Sequence, residues 1–241
     1  AFHAPLAGIM NSLEEIHKNF SVSVLISVMT ASITADYISA EFMGFRPVFQ
    51  FTVSGAIPSE YYGHIIALGI ILGLLGAFYN KVTLKSQELF GKIKGNRCEM
   101  VRLLIPFLLA GVLGMTMPEI LGSGHNIIDM VTEGNMMLKG ILLLFVMKLL
   151  FSSISFGSGA PGGIFFPLLV LGSLIGGAYA SFAITYLGMD AAYLNNFVVL
   201  AMAGYFTAIV RAPITGIILI FEMTGSVSQM LSLSLVSIVA Y

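Results

Sequence analysis

The stretch from Tyr61 to Phe90 is apolar enough to enter a lipid bilayer and long enough to cross one at a steep tilt. Apolar stretches of this kind recur along the chain, at roughly 4–16, 20–38, 61–90, 100–117, 136–155, 163–186, 194–208, 212–223 and 226–241. Their lengths are uneven, and several are too short to cross a core about 30 Å thick at 1.5 Å per residue. A closed β-barrel would show short alternating segments instead, so the backbone must satisfy its hydrogen bonds inside helices. Composition agrees: hydrophobic residues make up 57% of the 241 positions and charged residues only 10%. The expectation is an all-α integral membrane protein with no soluble domain. Half-length helices interrupted by glycine or proline are what carriers use to bring helix ends to the membrane midplane.

Charge sets the orientation and removes one class of partner. A formal net charge of −1 with no basic run provides no nucleic-acid surface. Lys81, Lys85, Lys92, Lys94, Arg97 and Arg102 place six of the eleven basic residues in one short connection, which the positive-inside rule assigns to the cytoplasm. Counting crossings backwards puts 39–59, with Arg46, Pro47 and Pro58, outside, and the turn at His17, Lys18 and Asn19 inside. The single cysteine, Cys98, excludes an internal disulfide and a multi-cysteine metal cluster, and its charged neighbours make it a cytoplasmic thiol. The chain opens at Ala1, with no initiator methionine or signal peptide, and reads as a fragment or processed part of a longer protein.

Two segments repeat. Ala4-Pro5-Leu6-Ala7-Gly8-Ile9, followed by Glu14, matches Ala212-Pro213-Ile214-Thr215-Gly216-Ile217, followed by Glu222, at a constant offset of 208 residues. The identical proline, glycine and glutamate positions suit an inverted-topology repeat, whose interface holds the substrate in many transporters.

The run Gly157-Ser158-Gly159-Ala160-Pro161-Gly162-Gly163 leads straight into an apolar helix. The first amides of a helix have no carbonyl one turn back and carry the positive end of its dipole, so this helix start can hold an anion without a full cationic charge. Gly163-Ile164-Phe165-Phe166-Pro167-Leu168-Leu169 resembles the GxFxPxL signature of the CLC family of chloride channels and chloride/proton antiporters. The stretch from Ala4 to Gly8 through Leu13-Glu14-Glu15 is similar to a second segment of that family. The resemblance covers Phe2 to Tyr241.

What the resemblance implies is specific. The fold would be a multi-helical CLC-type one with broken, tilted helices and inverted-topology repeats, forming a single transmembrane domain over 1–241. Residues 1–95 would hold the end of the first repeat and the start of the connection, and 96–241 most of the second. The amides of Ile164 and Phe165, reached past Gly163, would coordinate a chloride ion, with chloride the substrate and no cofactor or metal. Glu15 would be the internal proton-transfer acid, which tilts the reading from channel to antiporter. The subunit would form a homodimer in the plasma (inner) membrane, with Ile9, Leu13, Ile217 and Ile220 at the interface and Gly8 and Gly216 allowing close approach. The family's external gating glutamate and serine ligand would precede Ala1, and its pore tyrosine would follow Tyr241.

Other readings remain open at this point. Within the class, a passive chloride channel or a fluoride-selective relative fits the same motif, and outside it, a structural membrane subunit without transport. An enzyme would need an intramembrane nucleophile with a base, or a metal pair, and the sequence offers neither. Lys148, in an apolar run, is expected to snorkel to an interface or to pair with a carboxylate. His125 reads as a loop or helix-cap residue, the 14 methionines as deformable packing, and Gly172 with Gly176 as a close helix contact.

Overall fold

A computed structural model describes residues 3–18, 20–44, 48–49, 52–93, 98–134 and 136–241, the side chains of Met43 and Cys98 excepted. Arg46, Pro47, Asn19, Lys94, Arg97 and the thiol of Cys98 therefore lie outside the described residues. Among the described residues ten α-helices follow one another: α1 (Pro5–Asn11), α2 (Val22–Met43), α3 (Tyr62–Gly91), α4 (Cys98–Thr116), α5 (His125–Thr132), α6 (Leu138–Gly157), α7 (Phe165–Tyr186), α8 (Leu194–Val210), α9 (Pro213–Thr224) and α10 (Met230–Ala240). Six helical stretches among the described residues are long and apolar enough to cross a membrane, and α9 and α10 are shorter apolar helices.

α2 runs further than its apolar stretch suggests, and α3 carries basic residues that the sequence assigns to a connection. α2 continues through Ser39 to Met43, because nothing breaks the helix before Gly44, whose φ of +82° leaves the right-handed region. α3 holds 30 residues and is about 45 Å long, so Lys81 and Lys85 sit on its last turns rather than in a loop. The described part of the basic connection is the end of α3 and the start of α4; Lys92 pairs with Glu88 at 3.1 Å, and Arg102 donates to the Ile93 carbonyl at 2.8 Å.

The core lies where α7 runs along α8. A Cβ on Gly172 would stand 2.8 Å from the Ala201 carbonyl oxygen and from the Met202 Cα, and one on Gly176 would stand 2.7 Å from the Phe197 carbonyl oxygen. The two backbones touch, as the glycine spacing predicts. On the far side of α8, α3 and α10 close the bundle, with Leu68, Leu72 and Val236 fully buried. The segment ahead of α3 is tied down by side-chain amides. Asn196, fully buried, accepts from the Ser54 amide (3.0 Å) and donates to the carbonyls of Ser54 (3.0 Å) and Gly55 (3.2 Å), while Gln229 donates to the same two carbonyls.

α1 and α9 lie side by side and antiparallel. Glu222, near the end of α9, accepts from the amides of Leu6 (3.0 Å) and Ala7 (2.7 Å) at the start of α1. Glu14, just beyond α1, accepts from the amides of Ile214 (3.2 Å) and Thr215 (2.8 Å) and from the Thr215 hydroxyl (2.8 Å) at the start of α9. Each helix has proline at its first position, which has no N–H to satisfy, and each resumes internal bonding at its glycine, Gly8 to Ala4 and Gly216 to Ala212. The repeat read in the sequence is therefore a reciprocal pair of helix caps.

The burial pattern corrects the interface residues drawn from the sequence. Ile9 is 4% exposed, Leu13 6% and Ile220 0% within this one chain, so they have almost no surface to present to another copy. Gly216 also works internally, since a Cβ there would meet the Thr207 hydroxyl on α8 at 2.7 Å. Of the four residues only Ile217 keeps partial exposure, and the outward apolar groups beside it are Leu6 and Ile214. The reason is geometric: a seven-residue helix and a twelve-residue helix packed on each other turn their most regular apolar stripes inward.

Candidate anion site

α6 ends at Gly157 in a compact turn. The Ser158 hydroxyl donates to the Ser155 carbonyl (2.7 Å) and accepts from the Ala160 amide (3.3 Å). Gly159 adopts φ +82°, where a side chain would be strained. Gly162 and Gly163 are exposed, and a Cβ on either would meet nothing within 4 Å, so open space stands directly ahead of α7.

α7 begins without a side-chain cap. Its N-cap residue, Ile164, has no acceptor to offer, its carbonyl takes the first internal bond from the Leu168 amide at 3.1 Å, and Pro167 contributes no N–H. The amides of Ile164 and Phe165 thus precede the first internal donor of a 22-residue helix, at the positive end of its dipole. At the starts of α1 and α9, a glutamate from the matching segment accepts from the first amides. The aromatic side chains point into packing instead: Phe165 meets the Phe206 ring edge-on at 5.1 Å, and Phe166 lies 6.3 Å from Phe49 and 6.2 Å from the His125 ring.

A cavity of about 200 Å³ opens onto Gly162, Gly163 and Ile164, and its other walls include Tyr79, Lys148 and Ser152. Lys148 departs from its expected behaviour. It is 1% exposed and reaches neither an interface nor a carboxylate; its ammonium donates to the carbonyls of Ile120 (2.7 Å) and Gly122 (3.2 Å). The physical reason is that the turn after α4 wraps back over α6 and brings carbonyl oxygens to the lysine at the depth where it already lies. Nothing local in the sequence signals this contact. His125 opens α5, 3.7 Å from Asp129 and stacked on Phe49.

The two acids after α1 have separate surroundings. Ser12–His17 is a π-helical turn, a wide form often found at functional sites, and it ends at Lys18 in the left-handed region. Glu14 is committed to α9. Glu15, 3.9 Å from Lys18 and with 40% of its side chain exposed, lines a cavity of about 440 Å³ together with Glu14, Arg211 and Tyr241. That cavity shares no residue with the one at α7, so the structure does not bring Glu15 and Ile164 together directly. Two further cavities share lining residues with these. One, of about 270 Å³, shares Tyr79, Phe156 and Ile164 with the anion-side cavity. The next, of about 410 Å³, shares Asn80 with that one and Arg211 and Tyr241 with the cavity at Glu15.

The sequence profile described as voltage gated chloride channel matches residues 1–241. The chain belongs to this family. Within the CLC family, the H(+)/Cl(-) exchange transporter ClcA of Salmonella arizonae is 33% identical over 230 residues, covering 94% of this chain and 49% of the relative, and ClcA of Salmonella newport aligns to the same extent. The chain spans about half the length of the curated relatives it matches. Among solved structures, a slow cyanobacterial Cl−/H+ antiporter superposes with a TM-score of 0.90 at 26% identity, over 100% of this chain and 57% of that one. A CLC-type fluoride/proton antiporter superposes with a TM-score of 0.81 at 21% identity, over 100% of this chain and 58% of that one, and shows the shared fold. The all-α, inverted-repeat membrane architecture expected from the sequence is the one found.

Proposed function

We propose that this chain is part of a chloride/proton antiporter, with chloride held at the amides of Ile164 and Phe165 and protons passed through Glu15. The observation that carries the anion assignment is the start of α7: a glycine turn, an N-cap residue without an acceptor, and open space in front of the helix dipole. Several weak dipoles suit a transported ion, which must shed hydration to bind and yet leave again. Glu15 supplies the second function because it faces a cavity near the cytoplasmic turn while its neighbour Glu14 is occupied in capping α9. The exchange transporters among the relatives support pairing the two ions. A two-fold dimer in the plasma membrane completes the reading, with Leu6, Ile214 and Ile217 along the exposed edge of α1 and α9 meeting the same edge of a second copy.

The test is transport by the full-length protein in liposomes. With wild-type protein an outward chloride gradient drives proton uptake; Glu15→Gln, which removes the titratable group with little change of shape, keeps chloride flux and loses the coupled proton movement. Undiminished proton coupling in Glu15→Gln would remove Glu15 from the mechanism, and absence of chloride flux in the wild type would overturn the anion reading.

A further inference from the structure

Lys148 is a buried cation whose charge the described residues do not answer. It is 1% exposed, in the middle of α6, and both of its hydrogen bonds go to neutral carbonyls, those of Ile120 and Gly122. An ammonium carries three donors, and carbonyl dipoles solvate it without neutralising it. Among the described residues no carboxylate lies within ion-pairing distance of it. A lone charge out of water is strongly unfavourable unless something of opposite sign reaches it. The space to admit such a group is present. Lys148 lines the cavity of about 200 Å³ that also contacts Gly162, Gly163 and Ile164, and this volume equals the share of several waters at roughly 30 Å³ each. Ser152 and Ser155, one and two turns further along α6, line the same cavity and add hydroxyls to it. On the other side the backbone closes over the amine, since a Cβ at Gly124 would come within 3.1 Å of Nζ.

We propose that the cavity between Lys148 and the Gly162-Gly163 turn is a second anion position, at which a halide pairs with the Lys148 ammonium before or after occupying the start of α7. The proposal rests on the anion reading of α7 given above and adds a side-chain cation to it. It also assigns the two positions different character. The helix start binds through dipoles alone, whereas the Lys148 position binds through a formal charge and is the stronger attractor for an ion arriving from solution. A purely structural lysine, stapling the turn at Ile120–Gly122, would need its donors and not its charge.

Bromide soaked into crystals of the full-length protein separates these cases by anomalous scattering. Two peaks, one at the Ile164 and Phe165 amides and one within contact distance of Lys148 Nζ, support the proposal. A peak at the amides alone overturns it and leaves the anion reading of α7 standing; no peak at either place overturns both. In a second measurement, Lys148→Gln keeps two donors for the carbonyls and removes the charge, and chloride affinity measured by calorimetry falls about tenfold or more, a change of about 1.4 kcal/mol. Lys148→Arg keeps the charge and stays within about threefold of wild type. Chloride binding in Lys148→Gln as tight as in the wild type would overturn the proposal. Should the glutamine variant fail to fold, the wild-type bromide map decides alone.

Discussion

The reciprocal caps make a prediction with an unusual signature, because each substitution acts on a helix some two hundred residues away. In Glu14→Ala, the amides of Ile214 and Thr215 and the Thr215 hydroxyl lose a shared carboxylate that accepts all three at 2.8–3.2 Å. Losing an N-cap costs about 0.5–2 kcal/mol, and removing a negative charge from a partly buried helix N-terminus costs up to about 2 kcal/mol more. The combined cost to opening the start of α9 is about 2–3 kcal/mol, which raises local hydrogen exchange there by roughly 30- to 150-fold. Glu222→Ala removes two bonds, of 2.7 and 3.0 Å, from the start of α1 and raises exchange at Leu6 and Ala7 by a similar factor. Hydrogen–deuterium exchange with peptide-level mass spectrometry on the full-length protein reads both. The expected pattern is crossed: the Glu14 variant deprotects 213–219, and the Glu222 variant deprotects 5–10. Deprotection confined to the mutated helix, with the opposite helix start unchanged, would refute the capping argument.

Two further outcomes follow from packing. Gly157→Ala puts a Cβ against the Ser86 hydroxyl and 3.1 Å from the Ser86 backbone carbon, so it destabilises by about 1–3 kcal/mol in thermal melts, and adding Ser86→Gly recovers more than half of the loss. Asn196→Leu leaves the Ser54 amide without its acceptor and removes donors from two carbonyls, which lowers stability by about 2–4 kcal/mol and frees the 52–55 segment for limited proteolysis; an unchanged proteolytic pattern would count against this anchoring role.

What the sequence reveals depends on how local the controlling physics is. The helices were legible because a bilayer requires long apolar runs, and α3 and α7 follow theirs closely. The start of α7 was legible because the glycine run is contiguous and only a few backbone conformations suit it. The repeat was legible because proline, glycine and glutamate recur in register, although their joint purpose appears only when each glutamate is found on the other repeat's amides. Lys148 was misjudged for the opposite reason: its partners lie 28 and 26 residues back, in a turn whose path no nearby residue determines. The burial of Ile9, Leu13 and Ile220 within the chain is not legible in the sequence, since an apolar stripe looks the same whether it faces its own chain or another.

The clasp between α1 and α9 also governs how the protein can be made. Leu6 and Ala7 are separated from the carboxylate that caps them by 216 and 215 residues. At ordinary synthesis rates, those two amides emerge roughly 10–40 s before Glu222 exists. Glu14 waits almost as long for the helix start it will cap, 200 residues downstream. During that interval the start of α1 and the Glu14 carboxylate both lack their final partners, so both must be sheltered by water, lipid headgroups or the insertion machinery. The two repeats cannot mature one after the other, because each holds the last piece of the other, and a ribosome halted before Glu222 leaves both unfinished.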